Sequence, residues 1–191
     1  MEVIELLIRT CLGTLFLTSS FSKMRKMYVH VSIVQDYGLL PQQLVPIFAR
    51  TEVTIEFIIS LCLLFGLFQT FTLFVVLALL IIYTTAITVN LIRGRKEISC
   101  GCGGLIGSHQ LSWWLVLRNI IFMVPVTWMI VTPKGSWGSL HGVIDGASIN
   151  QVFDLTYWLT MVITYSFIGT VLFGIELFAI YRRMNAMISG E

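Results

Sequence analysis

Cys100 and Cys102 stand one residue apart in the run Ser99-Cys100-Gly101-Cys102-Gly103-Gly104. Three chemistries are open to a pair at that spacing. The sulfurs can close a small, strained ring whose disulfide is readily reduced or exchanged. They can offer two ligands to a metal. They can be two inert thiols. Metal sites normally take four ligands, and His109 is the nearest addition, so no metal is expected. Thiol–disulfide exchange leads, with Cys100 and Cys102 as the candidate catalytic residues. Arg93, Arg95 and Lys96 lie just upstream. Positive charge near a thiol raises its thiolate fraction, so these three are expected to favour the reactive form. Gly101, Gly103 and Gly104 allow the tight backbone that such a ring demands. Cys11 and Cys62 fall within apolar runs and read as small buried hydrophobes.

A second set of residues carries charge where charge is costly. Glu52 and Glu56 are four apart and share one helix face. At a rise of 1.5 Å per residue they lie roughly 9 to 15 Å into their span. Arg118 and Asn119 lie at about 10 to 12 Å from the same membrane face by the same rise. Ionisable groups at that depth mark function by default. Glu52, Glu56, Arg118 and Asn119 are therefore expected to form a polar pocket, with Arg118 as the partner of Glu56. Glu52 is expected to reach the interface or pair with Arg50. Glu5 and Arg9, also four apart, read as a local pair on the first span.

The elements that must position these groups follow from composition. Of 191 residues, 57% are hydrophobic and 12% charged, with a mean hydropathy of +0.88. A soluble domain carries roughly 25% charged residues, so the solvent here is a bilayer. The net charge of +2 gives no reason to expect nucleic acid as a partner. The acidic start Met1-Glu2-Val3-Ile4-Glu5 lacks the basic region of a secretory signal, and none is expected. Five segments are long and apolar enough to cross: Val3 to Phe21, Pro46 to Phe68, Thr70 to Ile92, Leu111 to Val131 and Phe153 to Tyr181. Backbone groups in lipid must bond within their own segment, so each is a helix. The short junction Gly66-Leu67-Phe68-Gln69 makes the second and third an antiparallel hairpin. Between the first two spans, Lys23, Arg25, Lys26 and His30 alternate with apolar residues and predict an interfacial amphipathic helix ended by Gly38 and Pro41. The loop from Thr132 to Val152, rich in glycine, reads as flexible. The expected fold is all-α: one multi-pass domain over residues 1–191 in the plasma membrane, with lipid as its surroundings.

Five spans put the termini on opposite faces. The face holding the cysteine loop carries Lys23, Arg25, Lys26, Arg93, Arg95, Lys96, Arg182 and Arg183, whereas the other carries Lys134. The positive-inside rule makes the first face cytoplasmic.

The stretch Cys100-Gly101-Cys102-Gly103-Gly104, then Leu111-Ser112-Trp113-Trp114 and Arg118-Asn119, resembles the MauE proteins of the DoxX-like membrane superfamily. Their loop typically reads Cys-Gly-Cys-Phe-Gly, so Gly103 departs from the pattern. Arg9, Gly13 and Lys23 resemble the group's first helix, and Glu56 its second-helix glutamate. The resemblance implies a four-helix DoxX-like core over residues 4–131, with an added helix at 153–181. It also implies a part in the maturation of methylamine dehydrogenase, a disulfide-rich enzyme, beside a thioredoxin-like or cysteine-rich partner. The cysteines would then face out of the cytoplasm, against the charge count, and a quinone would be a suitable electron acceptor. The alternative is a scaffold without enzymatic activity that holds a partner enzyme while it matures.

Overall fold

A computed structural model describes residues 2–95, 97–98, 110–132, 138–144 and 146–189. Helices α1 (Glu2–Arg25), α2 (Met27–Tyr37), α3 (Val45–Phe65), α4 (Gln69–Ile92) and α5 (Trp113–Val131) form the main body. Two short helices, α6 (Leu140–Ile144) and α7 (Ile149–Val152), lead to the long α8 (Leu155–Ser189). By length and composition α1, α4 and α5 can each cross a membrane. Helix α3 has the length, at 21 residues, but carries Arg50, Glu52 and Glu56. Helix α8 contributes a further apolar stretch, Leu155–Val171. Phe71, Phe74, Ile121 and Val124 point outward as a surface for lipid. The chain is an all-helical, multi-pass membrane protein.

Two helix pairs build the body. α1 runs along α3 and α4 along α5, while α3 and α4 meet across their hairpin. The core joins all four through Leu12 and Phe16, Ile59 and Leu63, Leu73 and Val76, and Val126 and Met129. Hydrophobicity does not drive helices together in lipid, so close packing through small residues must do it. Gly13 serves this purpose: a Cβ there would stand 2.9 Å from the Leu64 side chain. Ser20, Ala49 and Ser60, all fully buried, extend the same close approach.

The hairpin between α3 and α4 is closed by Gly66, at φ 64° and ψ 36°. The Leu67 amide donates to the Cys62 carbonyl at 2.9 Å, and the Gly66 amide to Leu63 at 3.3 Å. This paired cap satisfies the last carbonyls of α3. Gly38 closes α2 in the same left-handed conformation, as expected from its place in the sequence.

Two segments depart from expectation. Helix α1 continues past Phe21 to Arg25, which draws Lys23 into the helix and leaves it 6% exposed. The 132–152 connection is not loose where it is described. Gly142 is buried, the Gly138 amide donates to Val152 at 2.9 Å, and Ser139 is held against Gly66.

Candidate functional site

Helices α1 and α3 run antiparallel, and their register brings four polar side chains into one layer. Ser19 and Lys23 lie one turn apart on α1; Glu52 and Glu56 lie one turn apart on α3. The Lys23 ammonium bridges both carboxylates, with Nζ 2.7 Å from Glu52 Oε1 and 2.8 Å from Glu56 Oε2. Ser19 Oγ donates to Glu56 Oε1 at 3.1 Å. From α2, His30 Nε2 stands 2.6 Å from Glu52 Oε2. From α4, the Tyr83 hydroxyl donates to Glu52 Oε1, and the Lys23 ammonium sits 5.0 Å from the Tyr83 ring centre. All four carboxylate oxygens therefore have partners. Glu52, Glu56, Lys23 and His30 are each less than a tenth exposed.

This arrangement corrects two expectations. Glu56 pairs with Lys23, whereas Arg118 is on α5, in the other helix pair. Glu52 turns inward to Lys23, His30 and Tyr83; Arg50, two residues earlier, points outward. Depth along a span does not fix the direction in which a helix face points. Asn119 is buried beside its half-buried neighbour Arg118, and Asn119 Nδ2 and Arg118 Nε have no partner among the described residues. The residues that complete the cluster, Lys23 and His30, read from the sequence as charges of an interfacial helix. One signal could have found Lys23: it stands in the first-helix pattern of the resemblance.

A cavity of about 420 Å³ opens beside the cluster, lined by α2, α3 and α4 with Lys23 of α1. Its polar corner is Lys23, His30, Glu52 and Tyr83; most of the remainder is aliphatic, including Ile33, Leu40, Ile81 and Ile82. Such a volume suits a small ligand, and the few polar groups in an apolar wall would fix its orientation.

Cys100, Cys102 and Lys96 lie outside the described residues. The points where their segment leaves and rejoins the body are described. The Leu111 amide donates to the Ile98 carbonyl at 3.1 Å. Leu111 and Ile98 pack with Tyr37 and Ile87, which also line the cavity. Arg93 is exposed at the end of α4. Arg95 reaches back to the end of α2, its Nη1 3.1 Å from where a Cβ on Gly38 would stand.

A second polar knot lies toward the opposite membrane face. The Arg9 guanidinium, 2% exposed, donates to the Gly138 carbonyl, and Ser139 Oγ donates to the Gly66 carbonyl at 2.6 Å. The knot ties α1, the α3–α4 turn and the segment before α6 together.

An all-helical membrane body with a buried Lys23–Glu52–Glu56 charge cluster, beside the anchored ends of a Cys-Gly-Cys segment, defines a class: small polytopic membrane proteins with a polar site buried among their helices. Residues 1–132 match the family described as methylamine utilisation protein MauE, and the chain belongs to that family. It is 29% identical over 116 residues to the methylamine utilization protein MauE of Paracoccus denitrificans, covering 60% of this chain and 61% of that one. It is 29% identical over 152 residues to the Paracoccus versutus protein of the same name, covering 79% and 82%. The Methylophilus methylotrophus protein of that name is 33% identical over 84 residues, 44% of each chain. The match thus spans about six tenths of the Paracoccus denitrificans relative's length. No solved structure matches the chain.

Proposed function

We propose that this protein is a membrane thiol–disulfide redox accessory in methylamine utilisation, acting through Cys100 and Cys102 on an extracytoplasmic partner. The partner is a thioredoxin-like protein or a cysteine-rich enzyme such as methylamine dehydrogenase. The reading rests on one observation above the others. The segment holding the Cys-Gly-Cys pair is anchored at Ile98 and Leu111, against the residues that wall the cavity. Both described ends of that segment are held on the helical body, and the names of the MauE relatives point to the pathway.

The chemistry balances as an exchange. A partner thiolate attacks one sulfur of a Cys100–Cys102 disulfide and the other leaves as a thiolate. The partner's second thiol resolves the mixed disulfide. The partner gains a disulfide, and two electrons and two protons pass to Cys100 and Cys102. Arg93, Arg95 and Lys96 hold the leaving sulfur in its thiolate form.

In a Cys11→Ala, Cys62→Ala background, a membrane-impermeant maleimide added to intact cells should label Cys100 and Cys102 only after prior reduction. Changing either cysteine to serine should then leave the partner reduced while the membrane protein accumulates normally. Thiols that stay unlabelled from outside, yet react at once on lysis without reductant, would overturn the proposal. The scaffold reading would take its place.

A further inference from the structure

We propose that the cavity walled by α2, α3 and α4 binds an uncharged single-chain lipid with a hydroxyl head, the hydroxyl held by His30 Nδ1. The site is built from residues of the helical body and is independent of the thiol–disulfide reading.

The polar corner selects the head group. Lys23, Glu52 and Tyr83 are engaged with one another, and both Glu52 oxygens have partners. His30 is 7% exposed and lines the cavity. Its Nε2 is directed to Glu52, and its Nδ1 has no partner among the described residues. A buried polar atom of this kind calls for one. With Nε2 donating to Glu52, Nδ1 accepts in the neutral imidazole and donates in the imidazolium. A hydroxyl group answers both forms, because it donates one hydrogen bond and accepts others. An ester or ketone oxygen only accepts, and so answers one form alone.

Charge excludes the ionic heads. The corner holds two carboxylates against the Lys23 ammonium. A phosphate or a fatty-acid carboxylate would bring further negative charge beside them, away from bulk water, where like charges repel strongly. An ammonium head would meet Lys23, and all four oxygens of Glu52 and Glu56 already have partners.

The rest of the wall selects the tail. Ile33, Val34 and Leu40 give it an aliphatic lining. Its volume of about 420 Å³ lies within the range of about 300–1,000 Å³ usual for small-ligand sites. Leu39, Phe48, Ile81 and Ile82 also line it, yet each is between about a third and a half exposed. Helix α4 is long and apolar enough to cross a membrane, so an opening along its flank faces lipid. A single chain enters sideways from the bilayer and leaves its tail among the acyl chains. Once bound, it touches α2, α3 and α4 together and fastens α2 to the body beside the His30–Glu52 tie.

The test uses the full-length wild-type chain in phosphatidylcholine nanodiscs. A tritiated hexadecanol carrying a diazirine should label peptides of α2 and α4 saturably. Excess dodecanol should compete, whereas dodecane, dodecyl phosphate and dodecyltrimethylammonium should not. Ile82→Trp fills the cavity from a lipid-facing position and should lower labelling about ten-fold with an unchanged unfolding temperature. His30→Phe keeps a ring without Nδ1 and should abolish the advantage of the alcohol over the alkane. Labelling that does not saturate, or that dodecane or either charged amphiphile displaces as well as dodecanol, overturns the inference. So does labelling undiminished by Ile82→Trp, or a folded His30→Phe chain that still prefers the alcohol.

Discussion

Lys23→Met should lower the stability of the folded protein by about 3–5 kcal/mol, the cost of leaving buried charge without its partner. Methionine keeps most of the lysine stem's bulk, so the loss is one of charge and hydrogen bonds rather than volume. Glu56 would retain Ser19, and Glu52 would retain His30 and Tyr83. Neither carboxylate would face a lysine ammonium, and the two lie one turn apart in a region that water does not reach. The expected sign of this mechanism is rescue. Lys23→Met combined with Glu52→Gln and Glu56→Gln removes all three charges and should recover most of the loss, because neutral amides need only hydrogen bonds. Glu56→Gln alone should cost about 1–3 kcal/mol, since Lys23 keeps Glu52. Thermal unfolding of the purified protein in detergent, followed by circular dichroism, ranks the three variants. A Lys23→Met protein as stable as wild type would show that the bridge contributes nothing. A triple variant no better than the single would show that Lys23 acts through packing.

Much of this architecture can be read from the chain, and the reasons it stops are specific. Apolar runs locate the helices because a bilayer allows few alternatives. Gly66 and Gly38 announce the ends of α3 and α2, since a left-handed cap favours glycine. The four-residue spacing of Glu52 and Glu56 correctly puts both on one buried face. Their partner was misread because hydropathy ends the first span at Phe21, where lysine begins to count against it. A lysine neutralised by two glutamates carries no such penalty, and α1 runs on to Arg25. Matching depth points to Arg118, yet α3 turns its charged face to α1 while α5 packs on α4. The glycine-rich connection looked flexible because nothing local shows that Ser139 will find the Gly66 carbonyl, 73 positions away in sequence.

Lys23 also bears on orientation. The positive-inside rule counts charges that resist translocation near the membrane surface. Lys23 is buried and neutralised within the bundle, so it carries no such information. The count on the cysteine-bearing face then rests on Arg25, Lys26, Arg93, Arg95, Lys96, Arg182 and Arg183. Arg95 reaches the end of α2, where the helix dipole favours a cation irrespective of topology. The charge argument for a cytoplasmic loop is weaker than the residue count suggests, which eases its conflict with the proposed extracytoplasmic partner.

Gly66→Ala should cost about 2–4 kcal/mol, and Gly94→Ala no more than about 1–2 kcal/mol. Both glycines have positive φ, 64° and 76°, so an alanine at either bears the same left-handed strain of roughly 1–2 kcal/mol. The surroundings differ. Among the described residues, nothing lies within 4 Å of a new Cβ at Gly94. At Gly66 the Cβ would stand 2.8 Å from Ser139 Cα and 2.8 Å from Arg9 Nη1. A backbone atom cannot swing aside as a side-chain tip can, so the segment around Ser139 must move. That motion stretches the Ser139–Gly66 hydrogen bond, worth about 1 kcal/mol, and disturbs the Arg9 contact with Gly138. Gly66→Asn separates strain from contact, because asparagine tolerates the left-handed region better than alanine but adds more atoms. It should be at least as damaging as Gly66→Ala if the contact dominates. Unfolding midpoints of the three variants decide the matter, and limited proteolysis gives a second reading. Cleavage between α5 and α6 should rise in the Gly66 variants and stay at the wild-type level in Gly94→Ala. Equal losses at Gly66 and Gly94 would mean that the turn is merely strained glycine geometry and that the Arg9–Ser139 knot does not hold the two segments together.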